Sequence, residues 1–103
     1  MLLQKIANLS NVMKAIRNKG YHIIDVRRDE EFIAGAIPTA IHVPLADIEK
    51  NPEILLKFKD KPILFYCKAG VRSSAATKIG ESLKMNVENY KGSWDEYNET
   101  KKK

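Results

Sequence analysis

The sequence predicts an α/β protein with a mostly parallel β-sheet that is covered by helices on both faces. Short segments rich in β-branched and aromatic residues alternate along the chain with segments of helical character. Strands separated by helices are joined by right-handed crossovers, which make the strands parallel. With 103 residues, 44% of them hydrophobic, the chain can build one core and has no room for a second. Residues 1–103 are therefore expected to form a single domain.

Five strands and five helical segments are predicted along the chain. The predicted strands are residues 4–9, 21–26, 40–43, 62–66 and 87–91. The predicted helices are residues 11–19, 29–33, 45–58 with a break at Pro52, 73–85, and a short last helix from Trp94. Ser10 is the expected N-cap of the first helix, and Gly20 fits the position after its end. The lysines at the C-terminus are expected to form a frayed basic tail.

The charge of the chain excludes some functions and favours others. Eighteen Lys and Arg residues stand against 13 Asp and Glu, a net charge of +5. Such a balance suits anionic partners, but most cations are interleaved with acids and form no basic stripe, so no nucleic-acid partner is predicted. No apolar run approaches the roughly 20 residues that cross a membrane. The polar residues after Met1-Leu2-Leu3 and the free thiol predict a cytoplasmic protein without a membrane partner.

Cys67 is the only cysteine of the chain, so it has no partner for an intramolecular disulfide. It follows the apolar segment 62–66 and precedes Lys68, Gly70 and Arg72, after which a helix is predicted. Helix N-termini and nearby cations both favour a thiolate over a thiol. The pattern therefore predicts Cys67 as a reactive nucleophile. The alternative is a buried structural cysteine, which is a common role of an unpaired thiol.

The loop that follows the cysteine is expected to bind an anionic substrate. Gly70 permits the backbone to curl so that successive N–H groups point towards the sulfur. Lys68 and Arg72 flank the loop with positive charge. The predicted substrate-binding residues are the run Lys68, Ala69, Gly70, Val71, Arg72 and Ser73. Two roles are open to Arg72: contact with the substrate, or an ion pair with Asp25 or Glu31 that braces the loop.

Asp25 and Arg27, at the end of the second predicted strand, are expected to support the site. If that strand neighbours the strand before the cysteine, both ends share one rim of the sheet, where ligands bind. A carboxylate there can accept hydrogen bonds from a loop and hold its shape, so Asp25 is interpreted as structural rather than catalytic. His22 and His42 lie within strand patterns, have no partner at ligand spacing and are expected to serve packing. Neither a metal site nor a Cys-His pair is predicted.

Four segments of the chain share their order and spacing with a known family. They are Ile24-Asp25-Val26-Arg27, residues 31–38, residues 40–44 and residues 67–73. Together they resemble a single-domain rhodanese, which is a sulfurtransferase, and the resemblance covers residues 21–97. The chain departs from the family pattern at Ala36, where members often have His, and at Thr39, where they often have Gly. The segment around Trp94 instead looks like the closing motif of two-domain thiosulfate and mercaptopyruvate sulfurtransferases.

The resemblance implies both a fold and a reaction. The implied fold is a five-stranded, mainly parallel sheet with helices on both faces. The implied catalytic residue is Cys67, which carries sulfur as a persulfide within the loop 67–72. The implied reaction moves a sulfane sulfur from thiosulfate, or a similar small anionic donor, to cyanide, a thiol or a protein acceptor. No metal or organic cofactor is implied.

Two other functions would use the same loop. One is a persulfide carrier or sensor whose acceptor is a partner protein and whose turnover of small molecules is weak. The other is a phosphatase or arsenate reductase. Cysteine-dependent phosphatases have one residue more between their cysteine and arginine than the four that separate Cys67 from Arg72 here. They also need an acid to protonate the leaving group, and the sequence places none beside the loop.

Overall fold

The structure, a computed structural model, describes residues 4–101, which form one sheet of five strands with helices on both faces. The strands are β1 (Ile6–Ala7), β2 (His22–Asp25), β3 (Ile41–His42), β4 (Ile63–Tyr66) and β5 (Val87–Tyr90). They lie in the order β1-β5-β4-β2-β3, and each neighbouring pair is parallel. The predicted α/β fold is confirmed, and the sheet is parallel throughout.

The helices are α1 (Leu9–Asn18), α2 (Asp29–Ala34), α3 (Leu45–Lys50), a 3₁₀ helix (Pro52–Phe58), α4 (Val71–Ser82) and α5 (Ser93–Thr100). The predicted break within residues 45–58 lies at Asn51, whose backbone leaves the helical region at φ −145° and ψ 80°. A residue before proline is pushed out of the α region by the proline ring. The segment after the break is a 3₁₀ helix rather than an α-helix.

The first helix starts and ends earlier than the sequence predicted. Its N-cap is Asn8 rather than Ser10, because Asn8 and Asn11 each accept a hydrogen bond from the other's backbone N–H, at 2.9 and 2.8 Å. These two bonds form a reciprocal capping box. The left-handed residue after the helix is Lys19, with φ 54°, rather than Gly20. The first strand is accordingly shorter than predicted.

The sheet separates two apolar clusters, and alternate residues of β4 point into each. Ile63 and Phe65 belong to the cluster that α3, the 3₁₀ helix and α4 cover, and Cys67 continues this row. Leu64 and Tyr66 belong to the cluster on the other face, which α1 and α5 cover. Side chains of a strand alternate between faces, so the register of β4 directs Cys67 towards α4.

The carboxyl ends of β2 and β4 meet at the point where the chain reverses its direction across the sheet. From β2 the chain moves outward to β3, whereas from β4 it moves the other way to β5. The two strands pair directly, from His22 opposite Ile63 to Asp25 opposite Tyr66. Open α/β sheets bind ligands at such switch points. The residues that follow Asp25 and Tyr66 are therefore the first candidates for a functional site.

Both chain termini extend beyond the described range. Residues 1–3 lie outside it, as do residues 102 and 103 of the predicted frayed tail. Lys101, the last described residue, follows α5 directly. Among residues 4–101, none of the helices combines the length and the apolar character that crossing a bilayer requires.

Candidate active site

Cys67 lies directly after β4, in the turn that leads into α4. Its Sγ accepts a hydrogen bond from the Gly70 N–H at 3.1 Å and lies 3.4 Å from Ser73 Oγ. The residue is buried, with 1% of its surface exposed. Helix α4 begins at Val71, two residues before the predicted start, so its first turn lies against the sulfur. The loop thus surrounds the thiol with hydrogen-bond donors.

Gly70 has a backbone conformation that other residues rarely adopt. Its φ is 96°, in the left-handed region. A Cβ atom at this position would lie 2.6 Å from the carbonyl oxygen of Lys91, which follows β5. Any residue with a side chain would therefore strain the loop and collide with a neighbouring backbone. Glycine at this position allows the curl that directs the Gly70 N–H at the sulfur.

The environment of Cys67 lowers the pKa of its thiol. Burial raises this pKa, because it disfavours the charged form. The hydroxyl and N–H groups of Ser73 lower it, as do the N–H groups of Gly70 and Ala69, and the net result is a pKa below the ordinary value. Hydrogen bonds to a thiolate favour its charged form. A lowered pKa favours the thiolate form of Cys67 over the thiol at a given pH.

We expect alkylation of Cys67 by iodoacetamide to reach half its maximal rate below the free-thiol pKa of about 8.5. The thiolate is the reactive form, so a lowered pKa moves this midpoint to lower pH. Ser73→Ala removes the nearest hydroxyl and should raise the midpoint by about one pH unit. Ser82→Ala, at the far end of α4, is the matched control and should leave it unchanged. A wild-type midpoint at the free-thiol value would contradict an activated thiol.

Asp25 and Arg27 form a buried ion pair beside the loop. Arg27 Nη2 donates to Asp25 Oδ2 at 2.8 Å, and Arg27 Nε lies 3.1 Å from both carboxylate oxygens. Asp25 also accepts hydrogen bonds from the Tyr66 hydroxyl at 2.6 Å and from the Arg27 N–H at 2.8 Å. The guanidinium reaches on to the Gly35 carbonyl at 2.6 Å and lies 4.9 Å from the centre of the Trp94 ring. These contacts support a structural role for Asp25.

Arg72 pairs with Glu31 of α2. Its two terminal nitrogens donate to the two carboxylate oxygens at 2.7 and 3.1 Å. This hydrogen bonding lowers the pKa of Glu31 to about 2. Of the two partners considered for Arg72, the structure pairs it with Glu31 and not with Asp25. The pair braces the end of the loop against α2, and direct contact of Arg72 with a substrate stays a prediction.

Lys68 is more accessible than Arg27 and Arg72. Its side chain is 60% exposed, whereas the side chain of Arg72 is 29% exposed. The ammonium lies 3.1 Å from a carboxylate oxygen of Asp95, which is half-exposed. Exposed ion pairs contribute little to stability. Lys68 can therefore leave Asp95 at little cost and meet an anion at the loop.

Several hollows border the loop, and two of them are lined by residues just after Cys67. The larger, of about 620 Å³, is bounded by Ala69, Val71 and other residues from the loop, α4, β1 and β5. The smaller, of about 220 Å³, is bounded in part by Lys68, Arg27 and Trp94. The smaller hollow is large enough for a small anion and includes the accessible cation of the loop.

Three residues that the sequence did not single out as part of the site contact the loop backbone. They are the first residues of α5. The Cys67 N–H donates to Ser93 Oγ at 3.1 Å. The Trp94 N–H donates to the Cys67 carbonyl at 2.9 Å, and the Asp95 N–H donates to the Lys68 carbonyl at 3.0 Å. Hydrogen bonds made by backbone groups cannot be predicted from residue type. The only hint in the sequence was the resemblance of this segment to a closing motif.

The two histidines bond to groups other than the thiol. His22 Nε2 lies 2.7 Å from a carboxylate oxygen of Asp60. His42 Nε2 lies 2.8 Å from the Arg27 carbonyl, and its ring stacks on Phe32 at 4.5 Å. Within residues 4–101, no group of three His, Cys, Asp or Glu side chains could hold a metal ion. The packing role expected for the histidines fits these contacts.

A parallel sheet and a cysteine at a helix start define an α/β domain with a cysteine loop whose N–H groups face the sulfur. The family described as the rhodanese-like domain matches residues 8–100. The chain belongs to this family. The resemblance given by the four sequence segments is confirmed.

Relatives and solved structures agree with this assignment. A rhodanese domain-containing protein of Drosophila melanogaster is 35% identical over 105 residues, covering 89% of this chain and 95% of the relative. The thiosulfate:glutathione sulfurtransferase of Homo sapiens is 30% identical over 88 residues, covering 73% of this chain and 76% of the relative. The names of such relatives support sulfurtransferase as the class of this protein.

Two solved structures illustrate the similarity of the fold. A rhodanese-related protein of Thermoplasma volcanium superposes with a TM-score of 0.79 at 28% identity, covering 92% of each chain. The human single-domain sulfurtransferase TSTD1 also has a TM-score of 0.79, at 24% identity, covering 94% of this chain and 97% of its own. At 24% identity, the comparison with the human protein shows only that the folds are similar.

Proposed function

We propose that the protein is a thiosulfate sulfurtransferase that carries the transferred sulfur as a persulfide on Cys67. The observation that carries this proposal is the buried thiol with a lowered pKa, held 3.1 Å from the Gly70 N–H at a helix start. The name of the human relative, thiosulfate:glutathione sulfurtransferase, supports thiosulfate as donor and a thiol as acceptor.

The first half of the reaction loads sulfur onto the enzyme. The Cys67 thiolate attacks the outer sulfur of thiosulfate, and a new S–S bond forms. The S–S bond of thiosulfate breaks, and sulfite leaves with its electron pair. Sulfite takes the charge that the thiolate brought, and the outer sulfur of the persulfide keeps its own negative charge. The loop N–H groups stabilise that charge as oxyanion-hole donors do.

The second half of the reaction returns the enzyme to its thiolate form. A nucleophilic acceptor, such as cyanide or a thiol, attacks the outer persulfide sulfur. The S–S bond to Cys67 breaks, and the electron pair returns to Cys67. The result is a double displacement through a covalent intermediate. The short loop supports this chemistry over phosphate transfer, because four residues between Cys67 and Arg72 make a tight ring around a single sulfur atom.

The mass of the intact protein after incubation with thiosulfate tests this proposal. We expect a gain of one sulfur atom, which is lost when cyanide is added and thiocyanate forms. The Cys67→Ser variant, treated in the same way, is the control and should gain nothing. An unchanged wild-type mass would overturn the proposed persulfide.

A second candidate is a persulfide carrier or sensor that passes sulfur to a partner protein. The larger hollow beside the loop favours this candidate, because Val71 and Ile6 line it and are 77% and 54% exposed. A partner could cover these apolar side chains. Steady-state turnover with cyanide separates the two functions: slow turnover after fast loading would favour the carrier, whereas fast turnover favours the enzyme.

Lys68→Ala should lower kcat/KM for thiosulfate by about tenfold, since a charge-assisted hydrogen bond is lost and solvent exposure limits its worth. Thiosulfate is a compact dianion and gains from a point charge next to the nucleophile. Mercaptopyruvate has one carboxylate set further from its sulfur and should depend less on Lys68. We therefore expect the wild type to prefer thiosulfate. The measurement is kcat/KM for both donors at low and high salt, where screening should reduce the loss.

Two further variants accompany the Lys68 experiment, one as a control and one as a complementary test. Lys14→Ala removes an exposed lysine of α1 and should leave both donors unaffected. Asp95→Asn releases Lys68 from its ion pair and should raise kcat/KM for thiosulfate. Preference for mercaptopyruvate, or equal losses for both donors in Lys68→Ala, would show that Lys68 does not select the donor.

A further inference from the structure

Ser93 is a buried polar residue whose hydroxyl links two stretches of backbone. Its Oγ accepts the hydrogen bond from the Cys67 N–H at 3.1 Å and donates to the Tyr90 carbonyl at 2.7 Å. The residue is 0% exposed. Because the hydroxyl proton is directed at Tyr90, the oxygen lone pairs are available to the Cys67 N–H. The hydroxyl thereby ties the nucleophile's backbone to the end of β5.

The backbone of Ser93 is itself strained. Its φ is 55°, in the left-handed region that residues other than glycine seldom adopt. Such conformations persist only where the surroundings enforce them, and they are found preferentially at functional sites. From Ser93 the chain enters α5, whose next two N–H groups bind the carbonyls of Cys67 and Lys68. The start of α5 thus holds two successive residues of the loop.

We propose that Ser93 is a positioning residue for Cys67, holding its backbone so that the sulfur faces the N–H groups of the loop. The inference rests on the proposed function, since the positioned group is the thiol that would accept sulfur. Ser93 acts through the peptide rather than on the sulfur: its Oγ is 4.0 Å from Sγ, whereas Ser73 Oγ is at 3.4 Å. Without the Ser93 hydroxyl, the buried Cys67 N–H and Tyr90 carbonyl lose their partner, and the loop backbone turns to satisfy them.

Two substitutions of Ser93 separate positioning from folding. Ser93→Ala removes the hydroxyl and keeps the strained backbone. Ser93→Gly removes the same hydroxyl but adopts the left-handed conformation freely, so it protects the fold. Thr100→Ala is the matched control, because Thr100 Oγ1 donates to the Tyr97 carbonyl at 2.6 Å at the other end of α5. Three readouts are compared: the urea midpoint, the pH midpoint of Cys67 alkylation, and the rate of sulfur loading from thiosulfate.

In both Ser93 variants we expect the alkylation midpoint to rise by about one pH unit and sulfur loading to slow by about tenfold, as when one hydrogen bond is lost. Thr100→Ala should keep wild-type values for both. A folded Ser93→Gly with the wild-type pH midpoint and loading rate would overturn the proposal, even if Ser93→Ala had a lower urea midpoint. If the wild type itself takes up no sulfur, the proposed function fails, and the alkylation midpoint alone still decides the role of Ser93.

Discussion

Cys67→Ser is expected to abolish sulfur transfer and to leave the fold intact. The serine hydroxyl is a poor nucleophile at its own pKa and cannot carry a persulfide. Its oxygen can still accept the hydrogen bond that the Gly70 N–H donates to the sulfur at 3.1 Å. Thiocyanate formation from thiosulfate and cyanide should fall by on the order of a thousandfold or more, as when other enzymes lose their nucleophile.

Unfolding of the Cys67→Ser variant in urea is the control for this prediction. The midpoint should stay close to that of the wild type, because the substitution is nearly isosteric in a buried position. Ser82→Ala, a substitution away from the loop, should retain wild-type activity. Thiocyanate formation at the wild-type rate in Cys67→Ser would show that another group accepts the sulfur.

Asp25→Ala should destabilise the fold more than any surface substitution. The change removes the carboxylate that binds Arg27 and the Tyr66 hydroxyl, and both Asp25 and Arg27 are almost completely buried, at 0% and 2% exposed. An uncompensated buried charge costs about 3–5 kcal/mol. Domains have a free energy of unfolding of about 5–15 kcal/mol. A large fraction of the stability should therefore be lost in urea unfolding.

Two further variants sharpen the Asp25 prediction. Glu49→Ala removes an exposed carboxylate of α3 and should change the free energy of unfolding by no more than about 0.5 kcal/mol. Asp25→Asn keeps the shape and one acceptor oxygen and should lose less stability than Asp25→Ala. If Asp25→Ala and Glu49→Ala had the same free energy of unfolding, the buried ion pair of Asp25 and Arg27 would not stabilise the fold.

Much of the fold could be predicted from local pattern. The β-branched and aromatic run before Cys67 predicted β4, and the alternation of strands with helical segments predicted the parallel sheet. The ends of helices were less predictable, because a cap depends on backbone geometry. Asn8 takes the place of Ser10 since its side chain is the one that reaches the free N–H groups, and Lys19 adopts the left-handed conformation expected nearer Gly20. The early start of α4 at Val71 follows from the curl at Gly70.

The partner of Lys68 was not predicted from the sequence, and Arg72 had two candidate partners, Asp25 and Glu31. Arg27, Lys68 and Arg72 all stood near a predicted anion site, and each has a carboxylate partner. Which carboxylate pairs with which cation depends on the placement of α2 and α5 against the loop. A distance along the chain does not determine that placement. Of these three ion pairs, only that of Lys68 is largely exposed, so solvent access distinguishes Lys68 from Arg27 and Arg72.

The sequence by itself determined that a single cysteine lies at the end of a buried strand, before a glycine-containing loop and a helix. Local conformation and residue chemistry are enough for that, because the strand, the curl and the helix start are each encoded within a few residues. The tertiary structure alone decided that Ser93 holds the Cys67 peptide and that Glu31 receives Arg72. These contacts join residues 26 and 41 positions apart. They form only when the parallel sheet and its crossovers bring the ends of β2, β4 and β5 to one rim.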